Sequence, residues 1–235
     1  IGAGENWDDF VKTTIDRGWA GLETLSGIPG TVGAAPIQNI GAYGHEVSEF
    51  VMRVRTYDRQ AKALKTFTNQ ECEFSYRDSV FKKNPGRYVV IEVQFNLRRG
   101  EMTSPITYAE LAAELGIAVG EKADVIKTRE AVLKIRGRKG MLLDSTDKDT
   151  FSAGSFFTNP IVPENLIPEG APKYPQADGT FKTSAAWLIE QSGICKGQSL
   201  NGAAISGKHV LAITNAGNAK ASDIAALAMQ VKDAV

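Results

Sequence analysis

Residues 24–44 contain no Asp, Glu, Lys or Arg, although charged residues make up 23% of the chain. This stretch is rich in glycine and proline, at Gly27, Pro29, Gly30, Gly33, Pro36, Gly41 and Gly44. Such spacing interrupts both helices and strands, so it predicts neither a membrane-spanning helix nor a regular strand. Two structures remain open for the glycine-rich segment, residues 25–44. Its backbone N–H groups can approach a ligand such as a pyrophosphate, or it can form a tight buried pair of turns.

The composition is that of a globular protein, with 43% hydrophobic residues. Lys+Arg 27 and Asp+Glu 27 cancel, so the chain lacks the broad positive charge that binding to a phosphate backbone requires. We therefore expect no nucleic-acid partner. No apolar run has the length of a membrane span, and no basic-then-apolar leader is present, so we expect a soluble, cytoplasmic protein without membrane insertion.

Several classes of active site lack their motifs. Cys72 and Cys195 have no metal-type spacing and are predicted to be buried free thiols, and His45 and His209 are too far apart for a metal site, so we expect no metal. Neither a P-loop nor a dinucleotide-binding G-x-G-x-x-G is found. The serine-hydrolase motif G-x-S-x-G is also absent, which disfavours a hydrolase triad.

Helical and strand patterns interleave along the chain, which predicts an α+β protein. Apolar residues at helical spacing follow three potential N-caps, Asn6, Thr107 and Asp124. Alternating or β-branched stretches predict strands at residues 50–57, 63–68 and 88–97.

A polar, turn-rich stretch at residues 143–150 is the best candidate for a linker, which predicts domains at 1–142 and 151–235. In the second domain we expect a helix at 184–191, a hairpin of strands 203–205 and 209–214, and a last helix capped by Ser222.

Arg77 and Ser155 have side chains suited to binding or catalysis, and each also has an ordinary structural interpretation. Arg77 lies between aromatic residues, where its fork of donors can bind a carboxylate or phosphate, but it can equally form a surface salt bridge. Ser155 lies in a turn of small residues, where it can donate a proton or serve as an ordinary turn former.

Other polar residues are ambiguous in isolation. Arg136 and Lys139 stand near a predicted helix end, where cations bind anions but also simply stabilise the helix. Tyr108 and Tyr174 occur in loop-like sequence and point to no particular role.

Five motifs in order are more specific. They are GAGENW from residue 2, GLETLSGIPGTVGAAPIQNIGAYG at 21–44, C-x-F-x-YRDS-x-FK at 72–82, SAGSFFTNP at 152–160 and YPQADG at 174–179. Together they resemble the UDP-N-acetylenolpyruvoylglucosamine reductases, the MurB family of flavoenzymes, from end to end of the chain.

The resemblance implies an FAD-binding fold of the vanillyl-alcohol-oxidase type. Residues 1–142 would be its second FAD subdomain and residues 151–235 an α+β substrate-binding domain. It further implies that the family's N-terminal FAD subdomain and its C-terminal segment with a catalytic glutamate are missing from these 235 residues. We therefore expect either that the sequence is partial, or that this chain by itself is inactive although the intact protein is a reductase.

The reaction implied is the reduction of UDP-N-acetylglucosamine enolpyruvate to UDP-N-acetylmuramate, with FAD and NADPH as cofactors, by a monomer. Ser155 looks like the proton donor and Arg77 like the cation that holds the substrate carboxylate. Substrate contacts are implied for Tyr108, Lys139, Asn159, Tyr174 and His209. Contacts to FAD are implied for Gly4, Ile28, Pro29, Gly30, Gly33, Ala34, Ala35, Ile37, Asn39, Gly41, Ala42, Tyr43 and Gly44.

Two alternatives stay open beside this reaction. One is another oxidoreductase of the same flavin fold, and the other is a non-catalytic fragment that binds a nucleotide sugar.

Overall fold

The computed structural model describes residues 1–215 and 217–235. The chain divides into two compact units, Ile1–Arg136 and Gly137–Val235. Residues 143–150 belong to the second unit, and the domain limits 1–142 and 151–235 stay a prediction. Both units mix helices and strands, which confirms the α+β class.

The first unit contains most of the helices. They are α1 (Trp7–Asp16), α2 (Val80–Lys83), α3 (Ala109–Leu115) and α4 (Val125–Arg138), the last of which ends in the second unit. Its strands are β1 (Trp19–Ala20), β2 (Gly41–Ala42), β3 (His45–Glu46), β4 (Val51–Asp58), β5 (Ala63–Thr68), β6 (Tyr88–Phe95) and β7 (Arg98–Arg99).

Three of these strands form an antiparallel sheet in the order β5-β4-β6. Val54 at the centre faces Phe67 on one neighbour and Val93 on the other, and all three side chains are buried. Such direct cross-strand pairs are the main stabilising contacts of a sheet. The three predicted strands are thus confirmed: β5 has the predicted ends, and the ends of β4 and β6 differ from the prediction by at most two residues.

Helix α1 packs an apolar stripe into the same core. The Asn6 side chain accepts hydrogen bonds from the first N–H groups of the helix, as predicted, and Trp7, Phe10 and Val11 are buried. The Trp7 indole Nε1 donates to the carbonyl of Leu25 at 2.9 Å. This bond ties α1 to the start of the glycine-rich segment.

Helices α3 and α4 share a second cluster that includes Leu111 and Ile135. Asp124 caps α4 as predicted, since its carboxylate accepts from two N–H groups of the first turn at 2.9 Å. The predicted cap of α3 is wrong by one residue, because Tyr108 holds the extended N-cap conformation and the Thr107 hydroxyl packs towards Gly44 instead.

The second unit contains α5 (Ala185–Gln191) and α6 (Ala221–Ala234). Its strands are β8 (Ser152–Ser155), β9 (Ile161–Val162), β10 (Lys173–Pro175), β11 (Phe181–Thr183), β12 (Ser199–Leu200), β13 (Ala203–Ile205) and β14 (Ala212–Asn215). They form two antiparallel sheets, β10-β11-β9 and β12-β13-β14-β8. Ile205, Ile213 and Leu227 pack the four-stranded sheet against α6.

Two predictions in this unit need correction. The second strand of the hairpin begins at Ala212 instead of residue 209, because the Ser206 hydroxyl accepts from the backbone N–H groups of Lys208 and His209 and holds them in a turn. The predicted cap Ser222 lies inside α6. The Asp223 carboxylate accepts from the Lys220 N–H, so the helix begins earlier.

Both cysteines are free, but only Cys72 is buried as predicted, and Cys195 is exposed. Burial raises the pKa of the Cys72 thiol to about 12, so it stays protonated. Within residues 1–215 and 217–235, no helix combines the length and the apolar character needed to cross a membrane. The same residues contain no group of three His, Cys, Asp or Glu side chains placed to hold a metal ion.

Candidate functional site

The glycine-rich segment folds mainly through bonds to its own backbone and to the chain start. Val32 donates to Glu5 O and Gly33 to Ala3 O, both at 2.9 Å. Further N–H groups of the segment donate to carbonyls within it, at Ala34, Ala35, Ile37, Asn39 and Ile40. At these positions the structure favours a pair of turns, partly buried and partly exposed, over an open row of donors.

Two glycines of the segment have opposite surroundings. A Cβ atom on Gly33 would lie 2.5 Å from the Ala3 Cβ and 3.0 Å from the Ala3 Cα, so only glycine fits there. Gly30 has φ +115, and a Cβ atom on it would meet no heavy atom within 4 Å. Gly33 thus serves close packing, whereas the backbone of Gly30 stands open beside accessible space.

The residues predicted to contact FAD differ in exposure. Gly4, Pro29, Gly30, Ala34, Ile37 and Gly44 are exposed, and Ile28, Gly41 and Ala42 are half-buried. Gly33, Ala35, Asn39 and Tyr43 are buried. The exposed group can offer a contact surface, while the buried group shapes the backbone beneath it.

Arg77 lies against this segment, within the first unit. Its Nη2 donates to Gly41 O at 2.6 Å and its Nη1 to Asn39 O at 3.3 Å, with Glu46 Oε1 3.7 Å away. The backbone of Arg77 itself is left-handed, with φ +55, which is strained for a residue with a Cβ atom. These contacts with the glycine-rich segment show that Arg77 does not simply form a surface salt bridge.

Asn39 is the buried support of this arrangement. Its amide donates to Glu46 Oε2 at 2.6 Å and to Ser75 O at 3.0 Å, and its carbonyl accepts from the Ser48 N–H. The bond to Ser75 ties the glycine-rich segment to the loop that carries Arg77, and the other two fix Asn39 to residues 46–48.

Tyr43, Tyr108 and Arg136 form a second group in the first unit. The Tyr43 and Tyr108 rings meet edge to face with centroids 5.4 Å apart. Burial raises the pKa of Tyr43 to about 12, so its hydroxyl keeps its proton and its ability to donate. Tyr108 is 41% exposed at the edge of this group.

The position of Arg136 differs from the simple helix-end cation that its sequence context suggested. Its side chain is buried, its Nε donates to Gly27 O at 3.2 Å, and it also bonds to Tyr43. Burial lowers the pKa of the guanidinium, but it stays charged. Its place near the end of α4, between Ile135 and Gly137, gave no signal of this contact with the glycine-rich segment.

In the second unit the structure places Ser155 beside His209. The two atoms Ser155 Oγ and His209 Nε2 are 3.1 Å apart, within hydrogen-bond distance. Ser155 ends β8 and pairs with Ala212 on β14, and His209 stands in the loop that precedes β14. Both residues are candidates from the sequence, whereas their contact is visible only in the structure.

Three other residues predicted to bind substrate also belong to the second unit. The Asn159 carbonyl accepts from the Ala185 N–H at 3.0 Å, at the start of α5. Tyr174 is 50% exposed on β10, in the three-stranded sheet. Lys139 is half-buried directly after α4.

Two sequence profiles match this chain. One describes the C-terminal domain of UDP-N-acetylenolpyruvoylglucosamine reductase and matches residues 146–235. The other describes an FAD binding domain and matches residues 1–66.

Proteins with the same name are similar over the full length of the chain. The UDP-N-acetylenolpyruvoylglucosamine reductase of Cutibacterium acnes is 52% identical, with 100% of this chain and 63% of that protein aligned. The one from Thermobifida fusca is 49% identical, with 100% and 69% aligned. The chain thus spans roughly two thirds of the length of these relatives.

A solved structure agrees with the sequence comparisons. The crystal structure of the Thermus caldophilus UDP-N-acetylenolpyruvylglucosamine reductase superposes with a TM-score of 0.69 and 26% identity, covering 100% of this chain and 68% of that one. A relative 49% identical over this breadth leaves no doubt about ancestry. The chain belongs to the UDP-N-acetylenolpyruvoylglucosamine reductase family.

Proposed function

We propose that this protein reduces UDP-N-acetylglucosamine enolpyruvate to UDP-N-acetylmuramate, with FAD as bound cofactor and NADPH as reductant. The observation that carries the proposal is that relatives with that reductase name align along the whole chain at about half identity. The match of residues 1–66 to an FAD binding domain supports the cofactor.

The exposed part of the glycine-rich segment fits a flat cofactor. Pro29, Gly30, Ala34 and Ile37 offer small or apolar surface, and a side chain at Gly30 would occupy the open space above the backbone. FAD would lie on these residues, with Gly41, Ala42 and Gly44 next along the chain. The buried Asn39 and Tyr43 would support it from beneath.

When bound and reduced by NADPH, FAD supplies a hydride to the enolpyruvyl double bond. The protein's part is to bind the substrate and to deliver a proton to the neighbouring carbon. Ser155 is the proposed donor, because its hydroxyl is exposed at the end of a strand and already has a hydrogen-bond partner in His209.

Arg77 is the proposed partner of the substrate carboxylate. A guanidinium carries five N–H groups, and its contacts with Gly41 O and Asn39 O use one on each terminal nitrogen while fixing its plane. A permanently charged fork fixed in this way stabilises negative charge that develops on the substrate.

Further substrate contacts are proposed from the family pattern. Lys139 would pair with the diphosphate, and Tyr108, Asn159 and Tyr174 would contact the nucleotide sugar. The exposure of Tyr108 and Tyr174 is consistent with such contacts.

The visible absorption spectrum of the protein purified from its reading frame tests the proposal. We expect flavin bands that shift when UDP-N-acetylglucosamine enolpyruvate is added and bleach with NADPH. Flavin bands that ignore the sugar nucleotide would instead favour another oxidoreductase of the same fold. A colourless protein that still binds the nucleotide sugar would contradict the reductase function and favour a non-catalytic binding role.

A further inference from the structure

The loop between β13 and β14 is held to the segment that leads into β8. Asp149 precedes β8 by three residues, and its Oδ1 accepts from the Gly207 N–H at 3.0 Å while its Oδ2 accepts from the Ser206 hydroxyl at 2.9 Å. Both carboxylate oxygens therefore bind adjacent residues of one turn.

Ser206 links Asp149 to His209 by hydrogen bonds. Ser206 is only 1% exposed. Its hydroxyl oxygen accepts hydrogen bonds from the backbone N–H groups of Lys208 at 3.0 Å and His209 at 3.1 Å. One buried oxygen thus joins the Asp149 carboxylate to the backbone of His209. Because hydrogen bonds to a charged carboxylate are stronger than those between neutral groups, the two bonds to Asp149 restrain the turn.

Ser155 is fixed from the other side. It pairs with Ala212, whose N–H donates to His209 O at 2.9 Å, and Phe156 donates to Leu211 O at 2.7 Å. Strand β8, which carries Ser155, follows shortly after Asp149, which binds the turn before His209. Both residues of the Ser155–His209 contact are therefore attached to residues 149–155.

We propose that Asp149 and Ser206 are positioning residues that hold His209 against Ser155, and that His209 returns a proton to Ser155 in each turnover. This inference rests on the proposed reductase function. It assigns to His209 a role beyond the substrate contact implied by resemblance, and it assigns roles to two residues that the motifs did not single out.

The proton step balances as follows. The Ser155 Oγ–H bond breaks as a C–H bond forms on the substrate carbon next to the one that receives hydride. The resulting Ser155 alkoxide takes the proton that the His209 imidazolium carries on Nε2, which leaves neutral imidazole. A hydronium ion of the solvent then restores the imidazolium, so each turnover takes up one proton. For this step Nε2 carries the hydrogen and Ser155 Oγ accepts it.

The first test observes the histidine directly. The chain has two histidines, so ring signals in a ¹H–¹⁵N spectrum of histidine-labelled protein are assigned with His209→Gln, and His45 in the first unit serves as an internal reference. We expect Ser155→Ala and Asp149→Asn each to shift the His209 ring signals and leave those of His45 in place. Unmoved His209 signals in Asp149→Asn would overturn the positioning role.

The second test separates the half-reactions by stopped flow on the flavin-loaded protein. Asp149→Asn should slow reoxidation by the enolpyruvyl substrate by roughly ten- to a hundredfold and leave reduction by NADPH unchanged. Ser206→Ala should behave in the same way. The double variant should be no slower than the slower single variant, because both act through one hydrogen-bonded path.

Asp144→Asn is the matched control. It removes the same charge from the same segment, where the Asp144 carboxylate bonds to the N–H and hydroxyl of Thr146. Equal rates for Asp149→Asn and this control would overturn the inference, as would an equal loss in both half-reactions. A wild-type protein that never reduces the substrate would instead overturn the proposed function, and the ring signals would still decide whether Asp149 positions His209.

Discussion

Gly33→Ala should destabilise the first unit even though it adds a single methyl group. The new Cβ atom would lie 2.5 Å from the Ala3 Cβ, 3.0 Å from its Cα and 3.1 Å from its carbonyl oxygen. Two of these three are backbone atoms, so a change of rotamer cannot relieve the clash. Either the glycine-rich segment moves from its packed position, or the chain start detaches.

Both routes lead to a similar cost. Overpacking of a buried site costs about 1–3 kcal/mol. Detachment of residues 1–4 gives up the bonds from Val93 N to Ile1 O, from Ala3 N to Ile91 O and from Gly33 N to Ala3 O. At roughly 0.5–1.5 kcal/mol each, these three bonds amount to about 1.5–4.5 kcal/mol. We therefore expect a loss of about 2 kcal/mol in the free energy of unfolding.

The assay is urea unfolding followed by tryptophan fluorescence in a Trp187→Phe background. This background retains Trp7 and Trp19, both in the first unit, so the signal reports that unit alone. Gly4→Ala is the control, since a Cβ atom there meets nothing within 4 Å and should be neutral or slightly stabilising. A loss for Gly33→Ala under about 0.5 kcal/mol would refute the packing argument, because it lies within ordinary surface effects.

Three further outcomes are expected. Ser155→Ala should slow substrate-dependent flavin reoxidation about 10²- to 10⁴-fold and leave reduction by NADPH intact in stopped flow, and an equal loss in both half-reactions would contradict a proton donor. Arg77→Lys keeps the charge but loses the fork that binds two backbone carbonyls, so the same substrate step should slow roughly a hundredfold, and wild-type kinetics would return Arg77 to a surface role. The hydrogen bond to Glu49 raises the pKa of His45 in the folded protein above its ordinary value of 6.5. Protonated His45 therefore stabilises the folded state fully below pH 6.5, and this stabilisation is lost as the pH rises through the folded pKa. Urea unfolding between about pH 5 and 8 should show that loss, and His45→Gln should remove it.

The most regular elements were predictable because their signals are local. Asn6 and Asp124 cap helices α1 and α4 as their sequence context indicated, and the three strands of the first sheet follow alternating or β-branched stretches. The errors came where a neighbouring side chain competed for the same backbone. Ser206 delayed the start of β14, and Asp223 moved the start of α6.

The candidate site was predictable as a set of residues but not as contacts. Ordered motifs contain Arg77 and Ser155, and the family resemblance added His209. Yet 54 positions separate Ser155 from His209, and no local pattern reports their 3.1 Å contact. Arg136 shows the same limit. Its burial against Gly27 depends on how α4 packs, and in sequence it resembles any cation at a helix end.

The sequence by itself determined the family, the α+β class and the helix caps, because these follow from ordered motifs, from periodicity and from bonds between residues a few positions apart. Only the tertiary structure decided that Gly33 must lack a side chain, that Arg77 binds the glycine-rich segment and that Asp149 holds the turn of His209. The physical reason is range. Steric exclusion and hydrogen bonds act over a few ångströms in space, and the chain brings distant positions within that distance only when both units have folded.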